Sequence, residues 1–232
     1  MVGWAATASD PHPDPAFSHI PNAHSFRPVH DASFRETRRR GDILFLEGSP
    51  ATHVIFVVEG YVKLVKQSPS GKEVIVGISG PGEVVGEISL LDRRPYDATA
   101  VVMTRAVVVT ESSERVVREM GKNPSLLQGL ALLLSVRLRE TQNVVQRLAT
   151  ERVENRIATL LVKFAAPGHL KGGVALRIPL TRQELADMVG ATVETTIRTV
   201  SRLIQEGILE RRGRRLVITD LKGLKAVANG GC

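Results

Sequence analysis

Glu194 and Arg198 stand four residues apart in the run Thr192-Val193-Glu194-Thr195-Thr196-Ile197-Arg198. On a helix that spacing puts both side chains on one face. A carboxylate accepts a hydrogen bond from cytosine N4, and a guanidinium donates two to guanine O6 and N7, so the pair can read adjacent base pairs. Taken alone, the same spacing also describes an exposed ion pair worth about 0.3–0.5 kcal/mol. The surrounding residues favour base reading. Thr181-Arg182-Gln183-Glu184 is a capping box that starts one short helix, Gly190 ends it, and Thr192 opens a second. Two helices on a tight glycine turn make a helix-turn-helix, whose second helix meets base edges with its first residues: here Val193, Glu194, Thr195 and Ile197, with Arg198 a turn below Glu194. Behind it, Arg211-Arg212-Gly213-Arg214-Arg215 gathers four guanidinium groups around one turn. Such a wing suits phosphates, through Arg212 and Arg214, and adds affinity without sequence information.

Charge points to the same end of the chain. Residues 1–150 hold 17 basic and 16 acidic side chains, whereas 151–232 hold 14 basic and 8 acidic, so most of the net charge of +7 sits in the last third. A basic small domain on a near-neutral larger one fits a polyanionic partner. Other chemistries find no support. The single cysteine, Cys232, excludes an intrachain disulfide and a cysteine-ligated iron–sulfur cluster. No nucleophile with an adjacent base, metal-ligand spacing or Walker-type phosphate loop is present, so an enzyme is not expected. The longest apolar stretch, Leu126 to Val136, is about half of what a bilayer span needs, and the N-terminus does not read as a secretory signal; a cytoplasmic protein with no membrane partner is expected.

The elements that must position these residues follow from periodicity. Residues 1–33, rich in Pro, His, Ser and Ala, read as a loosely ordered N-terminal arm. From Arg38 to Thr110, short β-rich runs (Ile43–Leu46, Val54–Val58, Tyr61–Val65, Val74–Ile78, Val84–Val85, Ala100–Val102, Ala106–Val109) alternate with turn signals, Ser70-Gly71 being a hairpin tip. That texture predicts an all-β sandwich or roll over 34–123. From Pro124 to Thr150 the period is helical, and Leu127, Leu130, Leu134, Thr141, Val144 and Leu148 form a stripe, interrupted by Arg137, for a dimerisation helix over 124–150. Polar seam residues fit a twin helix better than a monomer core. The last part, 151–232, reads as helix (Val153–Ala165), loop (Pro167–Gly173), strand (Leu176–Ile178), the helix pair (Arg182–Val189 and Val193–Glu206) and a hairpin (Ile208–Glu210, Leu216–Ile218).

Residues 38–220 resemble the cyclic-AMP receptor protein/FNR family of bacterial transcription regulators. The run from Leu180 to Leu203 matches the family's helix-turn-helix closely. The sensor signature is present in Arg40-Gly41-Asp42, Phe45, Glu47-Gly48, Glu59-Gly60, Val62, Leu64, Gly80-Pro81-Gly82-Glu83 and Gly86-Glu87. The resemblance implies an α+β fold: an N-terminal β-roll (double-stranded β-helix or jelly roll) sensor, a long dimerisation helix and a C-terminal winged helix-turn-helix. It implies a homodimer on palindromic double-stranded DNA, with RNA polymerase as partner. It places Arg182, Gln183 and Thr192 where the family contacts phosphates, and Glu194 and Arg198 where it reads the half-site core. Arg202 is counted with the phosphate contacts.

The resemblance also implies an effector pocket, and there this chain departs from the pattern. Gly86-Glu87-Ile88-Ser89-Leu90 begins the phosphate-holding segment, but Asp97 and Ala98, followed by Thr99, stand for the family's Arg–Ser pair. A carboxylate facing a phosphodiester repels it, which argues against cyclic AMP; Arg93 or Arg94 could still serve from another geometry. Thr141 matches the position that meets the nucleotide base, and Gln142 replaces the small hydroxyl beside it. The FNR cysteines are absent. Haem stays open, because there are six histidines (His12, His19, His24, His30, His53, His169), though no spacing marks one as a ligand. A regulator with no small-molecule effector is equally consistent. The other class of reading is a ligand-binding sensor module, cyclic-nucleotide-like or haem, in which DNA binding is secondary.

Overall fold

The computed structural model describes residues 35–69, 71–166, 173–213 and 215–230. The N-terminal arm, Ser70 at the hairpin tip, most of the 167–173 loop, Arg214 and Cys232 lie outside them. The first elements are β1 (Arg35–Arg38), β2 (Ile43–Phe45), β3 (His53–Glu59), β4 (Val62–Gln67), β5 (Glu73–Ser79), β6 (Val84–Val85), α1 (Glu87–Asp92), β7 (Thr99–Val102), β8 (Ala106–Ser112) and α2 (Ser113–Lys122). They form two four-stranded sheets, ordered β1-β8-β3-β6 and β2-β7-β4-β5. The observed pairings within the first sheet are antiparallel, with Phe56 opposite Val109 at its centre. All seven predicted β-rich runs are strands.

β3 is buried on both faces, which explains its unbroken apolar run. Ile55 and Val57 pack with Val62, Val85, Ala100, Val102, Ala106 and Val108 in one cluster. Val54 and Phe56 point the other way, into a second cluster with Val109, Val116, Leu130 and Leu133. Three elements here were not anticipated. β1 carries Arg35, Glu36 and Arg38, a charged composition suited to the edge position it holds against β8. α1 is only six residues long. α2 is short, but its Val116 and Met120 at i, i+4 were a readable signal.

α3 (Pro124–Thr150) is a single helix of 27 residues. After it come α4 (Val153–Lys163), β9 (Val174–Ala175), α5 (Arg182–Val189), α6 (Val193–Gln205), β10 (Leu209–Arg212), β11 (Arg215–Ile218) and α7 (Leu221–Ala228). The strand expected at Leu176–Ile178 is displaced. β9 pairs with β11 through Val174 and Ala175, while Leu176 makes only a bridge to Ala165 and Ile178 is buried. α7 was also missed, although Asp220 caps it by accepting from the Gly223 N–H and Leu221 and Leu224 share a face. The core here joins Ile157, Leu161, Leu185, Val189, Val200, Leu203, Leu209, Ile218 and Leu224.

The described residues divide into two compact units. One takes the chain up to Leu64 and Ile78–Leu134; the other takes Val65–Gly77 and the chain from Ser135 onward. The division falls inside α3 and not at its end.

Candidate nucleic-acid interface

Each predicted cap of the helix pair is present. The Thr181 hydroxyl accepts from the Glu184 N–H at 3.1 Å, and Glu184 Oε2 accepts from the Thr181 N–H at 2.9 Å, closing the capping box of α5. Gly190 ends α5 in the left-handed region, at φ 64°. Thr192 caps α6, accepting from the Thr195 N–H at 3.2 Å and donating to Thr195 Oγ1 at 2.9 Å. Thr196, Val200 and Leu203 turn the apolar side of α6 into the core. That rotation leaves Glu194 and Arg198 exposed, with Thr195 and Ile197 half-buried.

The cationic residues divide by engagement. Arg198 and Glu194 make no ion pair with each other, whereas Arg202 pairs with Glu154 and, at 3.7 Å, with Glu206. Arg202 therefore ties α6 to α4, and a phosphate would have to compete with two carboxylates for it. Arg182 and Gln183 are exposed at the start of α5, and Gln183 Nε2 donates to buried Asp187 at 2.8 Å. On the wing, β10 and β11 pair as a hairpin, with Arg212 opposite Arg215. Arg212 donates from Nε and Nη2 to Glu210 Oε2, at 2.9 and 2.7 Å. Those bonds hold the Glu210 carboxyl below its ordinary range.

α3 corrects the predicted dimer stripe. Leu130 is 1% exposed and belongs to the second β-unit cluster, so it cannot also meet a twin helix. Leu134 is half-buried against the same cluster. Half-buried Leu134 and the exposed Leu127, Ala131, Leu138, Thr141, Val145 and Leu148 follow one another in alternating steps of four and three along α3. This is a heptad pattern, and it contains Leu138 and Val145, which the stripe omitted. They are 61% and 60% exposed, respectively. Thr141, whose hydroxyl donates to the Arg137 carbonyl at 2.9 Å, and Gln142 are exposed, as is Val144.

The expected effector segment is organised around a residue that sequence reasoning passed over. Tyr96 is buried, stacked on Phe45 with ring centroids 3.8 Å apart. Its hydroxyl donates to the His53 carbonyl at 2.6 Å. Gly86, at φ 89°, lies under the ring: a Cβ there would come within 3.1 Å of Tyr96 and 3.3 Å of the His53 carbonyl oxygen. Glu87 and Ala98 are buried, Thr99 accepts from the Glu47 N–H at 3.0 Å, and Asp97 is exposed. Tyr96, and not Asp97, is thus the side chain turned in toward Gly86. Among the described residues no group of three or more His, Cys, Asp or Glu could hold a metal ion. His53 shares a 2.8 Å hydrogen bond with Thr52, and the other five histidines lie outside the described residues.

Comparison with known proteins matches both halves. Residues 35–123 fit the cyclic nucleotide-binding domain and residues 155–227 the Crp-like helix-turn-helix domain. The transcriptional activator protein FnrA of Stutzerimonas stutzeri is 31% identical over 194 residues, covering 83% of this chain and 79% of that protein. The chain belongs to the CRP/FNR family. Another similar member is the CRP-like cAMP-activated global transcriptional regulator of Mycobacterium tuberculosis, 29% identical over 80% of this chain and 84% of that one. The structure of FixK2 from Bradyrhizobium japonicum superimposes with a TM-score of 0.73 at 25% identity, covering 83% of this chain and 96% of FixK2. As a CRP/FNR protein, this chain is a transcription regulator with a helix-turn-helix DNA-binding domain. Among the described residues no helix is long and apolar enough to cross a membrane.

Proposed function

We propose that this CRP/FNR regulator binds a palindromic duplex as a homodimer in the cytoplasm, without enzymatic activity. Residues 34–123 form its sensor domain, 124–150 its dimerisation helix and 151–232 its DNA-binding domain, with 1–33 as an arm. Glu194, Thr195, Ile197 and Arg198 read base edges; Arg182, Gln183, Thr192, Arg202, Arg212 and Arg214 meet phosphates; RNA polymerase is the partner on DNA. The observation that carries this reading is the exposed, mutually unpaired Glu194 and Arg198 on the first turns of α6, which Thr192 caps. The uncovered heptad of α3 supports the dimer. Cyclic AMP does not control this protein. The inward Tyr96 ring and the lack of a guanidinium at Asp97 support that statement.

Selection from a random duplex pool, followed by anisotropy titration of the selected site, tests the proposal. A palindrome with half-site centres about 10 base pairs apart is expected. Recovery of no palindrome, or equal affinity for scrambled DNA, refutes it.

A further inference from the structure

Arg156 lies in the first half of α4, half-buried. Its Nε donates to the Val189 carbonyl at 3.0 Å, and its Nη1 to the Glu151 carbonyl at 2.7 Å. Val189 is the last residue of α5, and Glu151 follows the last residue of α3. Each carbonyl therefore sits at a helix C-terminus, where it has no intrahelical partner and where the aligned peptide dipoles concentrate negative charge. One guanidinium satisfies both. Only a rigid fork of donors does this from one side chain; an ammonium is a point charge and reaches one such target well.

Two further contacts join the same elements. A Cβ at Gly190 would lie 3.1 Å from Leu148 Cδ2, so the last turns of α3 rest against the turn of the helix pair. Lys163 on α4 reaches Glu140 on α3 at 2.9 Å. The exposed Lys163–Glu140 pair is worth little by itself. The Arg156 bonds are different in kind, because they bind the end of α3 to the residue just before the turn into α6.

We propose that Arg156 is a positioning residue for DNA recognition: it fixes the α5–α6 pair on the C-terminal half of α3 and so sets the half-site spacing that a dimer accepts. The proposal rests on α6 as the recognition helix and α3 as the dimer seam. With the heads fixed, binding of one half-site presents the other head at a high effective concentration for one spacing alone. With the fork lost, each head still reads its half-site, but its orientation must be ordered at binding, and several spacings become comparable.

The experiment measures Arg156→Ala and Arg156→Lys against wild type on single half-sites and on the selected palindrome with its spacer changed in steps of one base pair. Sedimentation and thermal melting establish that each variant is a folded dimer. Arg156→Lys keeps the charge and the apolar stem, so it carries the test where the alanine variant does not fold. The expected result is unchanged half-site affinity, a loss of about tenfold on the optimal palindrome, and a flattened spacer profile in both variants. A wild-type spacer profile in the folded variants, or an equal loss on half-sites and palindromes, overturns the proposal while leaving the proposed function standing. Absence of any palindrome preference in wild type instead overturns the proposed function and this inference with it.

Discussion

The rings of Tyr96 and Phe45 lie stacked, 3.8 Å between centroids and 10° from parallel. Burial raises the Tyr96 hydroxyl above its ordinary value of 10.0, partly offset by the hydrogen bond its oxygen accepts from the His53 N–H at 3.2 Å. Tyr61 is raised likewise, by burial first and then by Glu83. Both phenols are therefore neutral in the folded protein at neutral pH. A raised acid is stabilising below its unfolded pKa and loses that contribution as pH rises through the folded one. Chemical denaturation at successive pH values should show stability falling above pH 10, and Tyr96→Phe and Tyr61→Phe should each reduce that fall.

Cyclic AMP should neither bind with micromolar affinity nor raise operator affinity. Calorimetric titration and anisotropy in the presence of the nucleotide check this. Tyr96→Ala should cost about 3–5 kcal/mol of stability, the scale of removing a packed aromatic ring, without conferring nucleotide activation.

Leu130 and Leu138 should separate cleanly, because one faces the β-unit core and the other is exposed on the heptad. Leu130→Ala should cost about 2–5 kcal/mol in a denaturant melt while leaving a dimer. Leu138→Glu places like charges across a twofold seam and should give folded monomers that bind palindromic DNA poorly. Sedimentation distinguishes the two outcomes.

Arg198→Ala should cost about 1–3 kcal/mol on the cognate site and relax specificity at one base pair. The wing should act on all DNA alike. Because Arg212 is engaged by Glu210, Glu210→Gln should strengthen specific and non-specific binding together and steepen the salt dependence, and Arg212→Ala should do the reverse. A salt series on cognate and scrambled duplexes reads both.

Gly190→Ala should destabilise the helix pair. It forces a Cβ into the left-handed region and against Leu148 at 3.1 Å. A loss of about 1–2 kcal/mol in the thermal or denaturant midpoint is expected.

What the sequence determined by itself is local. The β runs, the length of α3, the capping box at Thr181, the Gly190 stop and the Thr192 cap all depend on contacts within a few residues, and each was legible as spacing or turn chemistry. The tertiary structure alone decided which apolar residues of α3 are already covered. The apolar stripe took in Leu130 and left out Leu138, yet packing with residues far away in sequence, among them Val54, Phe56, Val84 and Val109, buries the first while the second stays exposed. Likewise, Tyr96 meets Phe45 and His53 across more than forty residues, and Arg156 reaches Val189 across 33. The Arg202–Glu154 pair was not legible for the same reason: Glu154 lies on another helix. Periodicity records which face of an element is apolar, but the partner of that face is fixed by chain topology, which brings together residues that no local spacing relates.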